Sequence, residues 1–216
     1  MKFKKHWVKY DFLAVGIALV VSVVFTFVIS FSAFAAESAS IRAKTLRLHI
    51  LANSDSTEDQ ALKLAVRDRI ITETGALFSG GSTREDAKEQ IAGRLSEIQR
   101  IAIEEIQARG YDYSVNIEMV NMFFTTRTYD GVTLPAGKYD ALRVVIGAGV
   151  GQNWWCVLYP PLCLPAAAGD AAGGARDDAL AEVLDEKERG VVESSPKYEV
   201  RFKVVEWWER LFGQTT

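Results

Sequence analysis

The chain has 216 residues, of which 49 % are hydrophobic and 25 % charged, and its formal net charge is −3. The first 35 residues carry four lysines and one aspartate, so the remainder has a net charge of about −6. This acidic balance argues against nucleic acid or an anionic membrane surface as the partner of the main domain. The remaining length suits one domain with a single core.

An apolar segment near the N-terminus predicts export. Four lysines precede a nearly continuous apolar run from Phe12 to Phe31, and Ala33-Phe34-Ala35 then supplies the small-x-small pattern that signal peptidases recognise. The run is also long enough to span a bilayer. Residues 1–35 are therefore predicted to be a signal peptide cleaved after Ala35, which the pattern favours, or an uncleaved anchor formed by residues 12–35. Both alternatives place residues 36–216 outside the cytoplasm as a single exported domain.

The next segment predicts one strand and two helices. Leu46 to Leu51 is rich in large aliphatic residues and predicts the first strand. The overlapping capping boxes Ser56-x-x-Asp59 and Asp55-x-x-Glu58 predict the start of a helix, because such side chains satisfy free amides there. Ser82-x-x-Glu85 predicts the start of a second helix, whose apolar stripe runs from Ile91 to Ile106.

Period-two patterns predict the rest of the sheet. Four further strands are expected at Tyr113 to Met119, Phe123 to Tyr129, Tyr139 to Ile146 and Trp154 to Tyr159. Gly147-x-Gly149-x-Gly151 is interpreted as a turn between strands, because it lacks the helix that follows a dinucleotide-binding fingerprint. The sequence thus predicts an α+β fold, with a mainly antiparallel sheet of about four to five strands and two or three helices packed on one face.

The C-terminal part predicts a link and a helix. Residues 165–175 are rich in alanine and glycine, which indicates a flexible link. Ser195-Pro196 is typical of a helix start and predicts an amphipathic helix near residues 196–212. Its Trp207-Trp208 pair is interpreted as core rather than membrane contact, because charged residues occupy the polar face.

The residue types and their spacing give little support for a catalytic site or a metal site. His49 is the only histidine after residue 35 and lies on a predicted strand, so we interpret it as structural. Zinc ligands at the usual spacing are missing from the sequence, and no cofactor is expected. The cluster Asp55, Glu58 and Asp59 could act as the paired carboxylates of a cell-wall hydrolase. Helix capping explains all three more simply.

The run NWWCVLYPPLC, residues 153–163, holds both cysteines. In an oxidising compartment Cys156 and Cys163 predict a disulfide, and the alternative is two buried thiols. Alternation along the strand predicts that Trp154 and Trp155 point to opposite faces. Tryptophan, tyrosine and arginine dominate binding hot spots, so the candidate partner-binding residues are Arg127, Tyr129, Trp154 and Trp155.

Three segments together resemble the stage II sporulation protein R family: LRLHILANSDSTEDQ at 46–60, RTYDGVTLPAGKYDALRVVIGAGVGQNWWCVLYPPLC at 127–163, and YEVRFKVVEW at 198–207. One departure is Thr125-Thr126-Arg127, where the family leads us to expect a proline before the threonine. The match covers nearly all of the chain after the apolar segment.

The resemblance implies a signal rather than an enzyme. Proteins of this family are made in the forespore of endospore-forming bacteria and exported into the space between forespore and mother cell. There they activate a membrane-embedded aspartic protease, the stage II sporulation protein GA, which removes the pro-sequence of sigma factor E. The resemblance brings no catalytic residues. The alternative is a cell-wall hydrolase or wall-binding protein that uses the acidic cluster at 55–59.

Overall fold

The computed structural model describes residues 4–75, 83–129, 131–162 and 171–193, together with Lys203 and Trp207. Helix α1 spans Lys4–Ala43 without a break. From Phe12 to Ile29 its large apolar side chains are exposed, and this part is long and apolar enough to cross a membrane. Its last turns are different, because Phe34 and Ile41 are buried against the rest of the chain.

Six strands follow in the chain, and four of them form one mixed sheet in the order β2-β5-β1-β6. Strands β2 and β5 pair antiparallel, as do β1 and β6, whereas β1 and β5 are parallel. Strands β3 and β4 form a separate hairpin. The strands are β1 (Leu46–Leu51), β2 (Val115–Phe124), β3 (Arg127–Tyr129), β4 (Val132–Leu134), β5 (Gly137–Ile146) and β6 (Asn153–Tyr159).

The α+β class and the four-stranded sheet are confirmed, and β1 has the predicted bounds. The order of the strands differs from a simple meander. Strand β1 lies in the middle of the sheet because it inserts between β5 and β6, which are neighbours in sequence. The predicted strand from Phe123 to Tyr129 is also divided, since β2 ends at Phe124 and β3 begins at Arg127.

Within the described ranges, five more helices have defined bounds: α2 (Thr57–Gly75), α3 (Arg84–Ala92), α4 (Leu95–Ala108), α5 (Ala171–Val183) and α6 (Glu186–Glu193). The single helix predicted after Ser82 is two helices, because the chain breaks at Gly93-Arg94 between α3 and α4. Its cap is one residue later than predicted. Thr83 Oγ1 accepts from the Asp86 amide at 3.2 Å, and Asp86 accepts from the Thr83 amide at 2.8 Å.

Three apolar clusters of buried residues lie within the described ranges, and the two larger ones join the sheet to the helices. On one face of the sheet, Leu48 and Ile50 are fully buried against the stripes of α2 and α4. A second cluster joins the end of α1 to the β3–β4 hairpin, α5 and α6 around Val157 of β6. The helices are therefore not confined to one face, since the chain before β1 and the chain after β6 supply the second cluster.

The C-terminal predictions are only partly within the described residues. Residues 171–175 of the expected flexible link form the first turns of α5, and residues 165–170 lie outside the described ranges. Of the helix expected near 196–212, only Lys203 and Trp207 are described, and both are helical. Trp207 is 61 % exposed, so its interpretation as core is wrong.

Candidate partner-binding face

The sheet face that points away from α2 and α4 carries an unusual set of side chains. Side chains alternate between faces along a strand, so Arg47 and His49 of β1 share this face while Leu48 points to the other. Strands β2, β5 and β6 bring aromatic rings beside them. We call this surface the aromatic face and define it by Arg47, His49, Phe124, Tyr139 and Trp155.

Arg47 lies at the base of the aromatic face and is fully buried. Its Nε donates to the carbonyl oxygen of Cys156 at 2.9 Å, and its Nη2 donates to the Tyr129 hydroxyl at 2.6 Å. The guanidinium carbon lies 4.4 Å from the ring centroid of Phe124 and 5.0 Å from that of Tyr139. Within the described part of the chain no carboxylate forms an ion pair with Arg47. The negative faces of the rings and two dipolar oxygens therefore stabilise the charge.

Both phenols near Arg47 are neutral at physiological pH. Burial raises the pKa of Tyr139 to about 12, and its hydroxyl donates to the Pro135 carbonyl oxygen at 2.6 Å. Burial also raises the pKa of Tyr129. Since neither phenol ionises, the base of the aromatic face keeps the full positive charge of Arg47.

His49 supports the centre of the face in its neutral form. Its Nε2 lies 2.6 Å from Asn153 Oδ1, which assigns the proton to Nε2 because an amide oxygen accepts. Its Nδ1 is buried and, among the described residues, has no hydrogen-bond partner. Burial lowers the pKa of His49, against the opposing effect of the Asn153 hydrogen bond. Protonation would place a second N–H in an apolar site, so the ring stays neutral.

The outer layer of the face combines Trp155 with arginine. Trp155 is half-buried, packs edge-on against Phe124 with ring centroids 4.9 Å apart, and stacks on His49. The exposed Arg127 lies over its ring, with 5.7 Å between guanidinium carbon and centroid. Arg143 lies near the edge and pairs with Glu118 at 3.3 Å. The accessible surface is thus an aromatic ring held rigidly from below and covered by a cation.

Three of the four predicted partner-binding residues come together, and one does not. Arg127, Tyr129 and Trp155 lie on or beside the aromatic face. Trp154 points to the opposite face, where Arg67 lies 4.4 Å from its ring. The alternation of the two tryptophans is confirmed. Sequence reasoning missed Arg47, although the pattern Leu-Arg-Leu-His-Ile-Leu places it on the same face as His49.

The acidic cluster at 55–59 caps the start of α2 and holds the preceding loop through hydrogen bonds. Ser56 Oγ accepts from the Asp59 amide at 3.1 Å, as the capping box predicts. The Asp59 carboxylate accepts from Ser54 Oγ at 2.6 Å and from Asn53 Nδ2 at 2.8 Å, and these two bonds lower its pKa. Asp59 is buried and Glu58 is exposed, so only Asp59 is held in this hydrogen-bond network.

The glycine-rich turn between β5 and β6 docks on this cap. Gly147 and Gly149 adopt φ values of 56° and 63°, where glycine is favoured. Asn53 Oδ1 accepts from the Ala148 amide at 3.0 Å, and Gly151 lies against the Ser54 backbone so closely that a Cβ would overlap it. The interpretation of these glycines as a turn between strands is confirmed.

The cysteines lie at the end of β6. Cys156 is 1 % exposed and is disulfide-bonded. Cys163, the other cysteine of the chain, lies outside the described residues, so the pairing of the two stays a prediction.

A cleft of about 520 Å³ lies away from the aromatic face, between the end of α1, the start of α3 and the end of α5. Lys44, Arg84, Tyr159 and Glu182 are among the residues that line it. Arg84 pairs there with Asp140 at 3.0 Å.

The fold and the site together define an α+β protein in which an apolar helix leads directly into one domain with an aromatic, cationic face. The family model described as Stage II sporulation protein R matches residues 42–168. Stage II sporulation protein R of Bacillus subtilis (strain 168) is 35 % identical over 184 residues, which cover 79 % of this chain and 82 % of that protein. The chain belongs to the stage II sporulation protein R family and is a sporulation protein. No solved structure matches it.

Proposed function

We propose that the chain is an exported signalling protein that activates the membrane-embedded aspartic protease of the mother cell, the stage II sporulation protein GA. Activation leads to removal of the pro-sequence of sigma factor E. Membership in the stage II sporulation protein R family is the observation that carries this proposal. An apolar helix that is long enough to cross a membrane supports the export step.

The aromatic face supports a binding role. Trp155 is fixed from below by His49 and from the side by Phe124, so little side-chain entropy is lost when a partner covers it. Arg127 is exposed beside it and lies across its ring. Tryptophan and arginine in a rigid setting are typical hot-spot residues. Trp155 and Arg127 are therefore the residues that we expect to contact the protease.

Charge indicates the chemistry of the partner surface. The chain after residue 35 has a net charge of about −6, yet Arg47 and Arg127 give this face a positive potential. An acidic segment with an apolar or aromatic residue is the complementary surface.

Co-expression in a non-sporulating host tests this function. The chain, the protease and the pro-sigma substrate are produced together, and cleavage of the pro-sequence is measured. We expect cleavage only when all three are present. An exported, folded chain that never raises cleavage would overturn the proposal.

A matched pair of variants tests the face. We expect Trp155→Ala combined with Arg127→Ala to reduce cleavage by about 30-fold or more, as loss of a hot spot does. Trp154→Ala is the control, because it removes the same residue type from the opposite face of the same strand. Equal loss of activity in the control, at equal folded protein, would remove the aromatic face as the binding site.

A further inference from the structure

We propose that α1 is retained as an uncleaved transmembrane anchor that continues without a linker into the core of the exported domain. This inference rests on the export step of the proposed function and is independent of the protease. Its occupant is the hydrocarbon of the lipid bilayer. The sequence leaves open a cleaved signal peptide or an uncleaved anchor. This inference selects the anchor, although the signal-peptidase pattern favours cleavage.

The outer part of α1 has the length and the exposed apolar surface that fit a bilayer. Every large apolar side chain between Phe12 and Ile29 is more than half exposed, and these side chains surround the whole helix. A protein partner covers one stripe of a helix, whereas lipid covers all sides. The 18 residues from Phe12 to Ile29 rise about 27 Å at 1.5 Å per residue, close to the hydrocarbon thickness of about 30 Å.

The inner part of α1 is a core element of the domain. Phe34 is 3 % exposed and Ile41 is fully buried. They pack in the second cluster with Leu134 of β4 and Val192 of α6. Just beyond, Ser40 Oγ and Lys44 Nζ each lie 2.6 Å from the Glu188 carboxylate, which is almost fully buried. The fold therefore includes the last turns of the same helix that enters the membrane.

The predicted cleavage point lies inside this continuous structure. The bond after Ala35 follows Phe34 directly and lies within an unbroken helix. In the folded protein the amides around this bond are hydrogen-bonded in the helix, and a buried side chain precedes the bond. Cleavage would also remove Phe34 from the cluster and place a charged amino terminus beside it.

The absence of a linker between Ile29 and Ile41 has a geometric consequence. Ile41 lies twelve positions after Ile29 on the helix, which is a rise of about 18 Å. The domain is therefore held at the membrane surface rather than released from it. The β3–β4 hairpin contacts α1 through Leu134 and the aromatic face through Tyr129, so the anchor and the face are parts of one packed unit.

The decisive experiment compares the sizes of two full-length chains with a C-terminal tag. Ala33→Leu blocks a peptidase that requires a small residue at this position, and Ala33 is exposed, so the fold tolerates the change. We expect the original chain and Ala33→Leu to have the same mass and to stay in the membrane pellet after alkaline carbonate extraction. A soluble original chain, shorter than Ala33→Leu by about 35 residues, would overturn the anchor.

Two further measurements distinguish a failure of the proposed export from a failure of the proposed anchor. Digestion by external protease reports export, so a protected domain would count against the proposed function rather than the anchor. In detergent, we expect Phe34→Ala to lower the unfolding midpoint by roughly 6 °C or more, and Phe27→Ala, which is exposed on the same helix, to leave it unchanged. Equal midpoints in both variants would show that α1 is not part of the core and would overturn the proposal.

Discussion

The imidazole of His49 lies flat against the indole of Trp155, with ring centroids 4.0 Å apart and planes 5° from parallel. The two residues face each other across the β1–β6 pairing, where their Cα atoms are register partners. The stack needs a neutral imidazole, because a charged ring here would be buried with one N–H that has no acceptor in the described structure.

This relationship predicts that stability decreases as the pH falls below the ordinary histidine pKa of 6.5. The pKa of His49 is lowered from 6.5 in the folded state, so the unfolded chain binds the proton more readily. Stability is therefore greatest above pH 6.5 and falls as the pH decreases towards the lowered folded-state pKa. We expect His49→Gln to reduce this slope, as measured by urea unfolding at each pH. An identical slope in both proteins would contradict the assignment.

Replacing Arg47 tests how its buried charge is stabilised. Arg47→Ala leaves a cavity and removes the two hydrogen bonds of the guanidinium, and we expect a loss of about 3–5 kcal/mol in the free energy of unfolding. Arg47→Met fills much of the same volume and removes a charge that has no carboxylate partner, so we expect a loss under about 2 kcal/mol. Chemical denaturation of both variants checks this order. If Arg47→Met is less stable than Arg47→Ala, the prediction is wrong and the charge of Arg47 itself stabilises the fold.

The two acidic residues at the start of α2 are predicted to behave differently. Asp59→Ala removes the acceptor for Asn53 and Ser54 and should cost about 1–3 kcal/mol, whereas Glu58→Ala should cost under about 0.5 kcal/mol. The stabilisation by Asp59 is present above its ordinary pKa of 3.8 and is lost as the pH falls through its lowered folded-state pKa. Acid titration of the unfolding free energy checks both statements.

The same pair distinguishes capping from catalysis. We expect Glu58→Ala combined with Asp59→Ala to support pro-sigma cleavage in the co-expression assay once the amount of folded protein is matched. Complete loss of cleavage by a stably folded double variant would make the capping interpretation wrong.

Gly151→Ala should be strongly destabilising. The added Cβ would overlap the Ser54 backbone, which is itself held by the cap of α2, so neither loop can yield without breaking hydrogen bonds. We expect a loss of about 2 kcal/mol or more by thermal or chemical unfolding. Gly190→Ala is the control, because the space there is open and the residue lies in α6, and we expect it to be neutral or slightly stabilising. Similar values for both variants would show that the two loops are not tightly packed.

The parts of the fold that sequence predicted are those with short-range signals. The spacing of aliphatic residues predicts strand β1 and the helices α2 and α4. The spacing of Ser56 and Asp59 predicts the cap of α2. The break between α3 and α4 was not predictable in this way, because the buried stripe of Ile91, Ile98 and Ile106 continues across it.

The features that sequence could not predict depend on distant partners. The parallel pairing of β1 with β5 joins residues such as Leu48 and Leu142, and nothing local specifies it. The environment of Arg47 likewise needs Phe124, Tyr129 and Tyr139, which come from three separate strands. In the sequence, the alternation of polar and apolar residues in β1 is the one signal that indicates the aromatic face.

The central position of β1 makes completion of the sheet depend on strands that come much later in the chain. Arg47 hydrogen-bonds to the backbone of Cys156, 109 residues further along the chain, and β1 pairs with β6 up to Tyr159. If the N-terminal helix enters the membrane first, β1 emerges early and stays unpaired until β5 and β6 have crossed. Such long-range pairing closes last. If the chain is exported as proposed, a partly translocated chain cannot display the aromatic face, because Arg47 and His49 lack their partners from β5 and β6 until those strands have crossed.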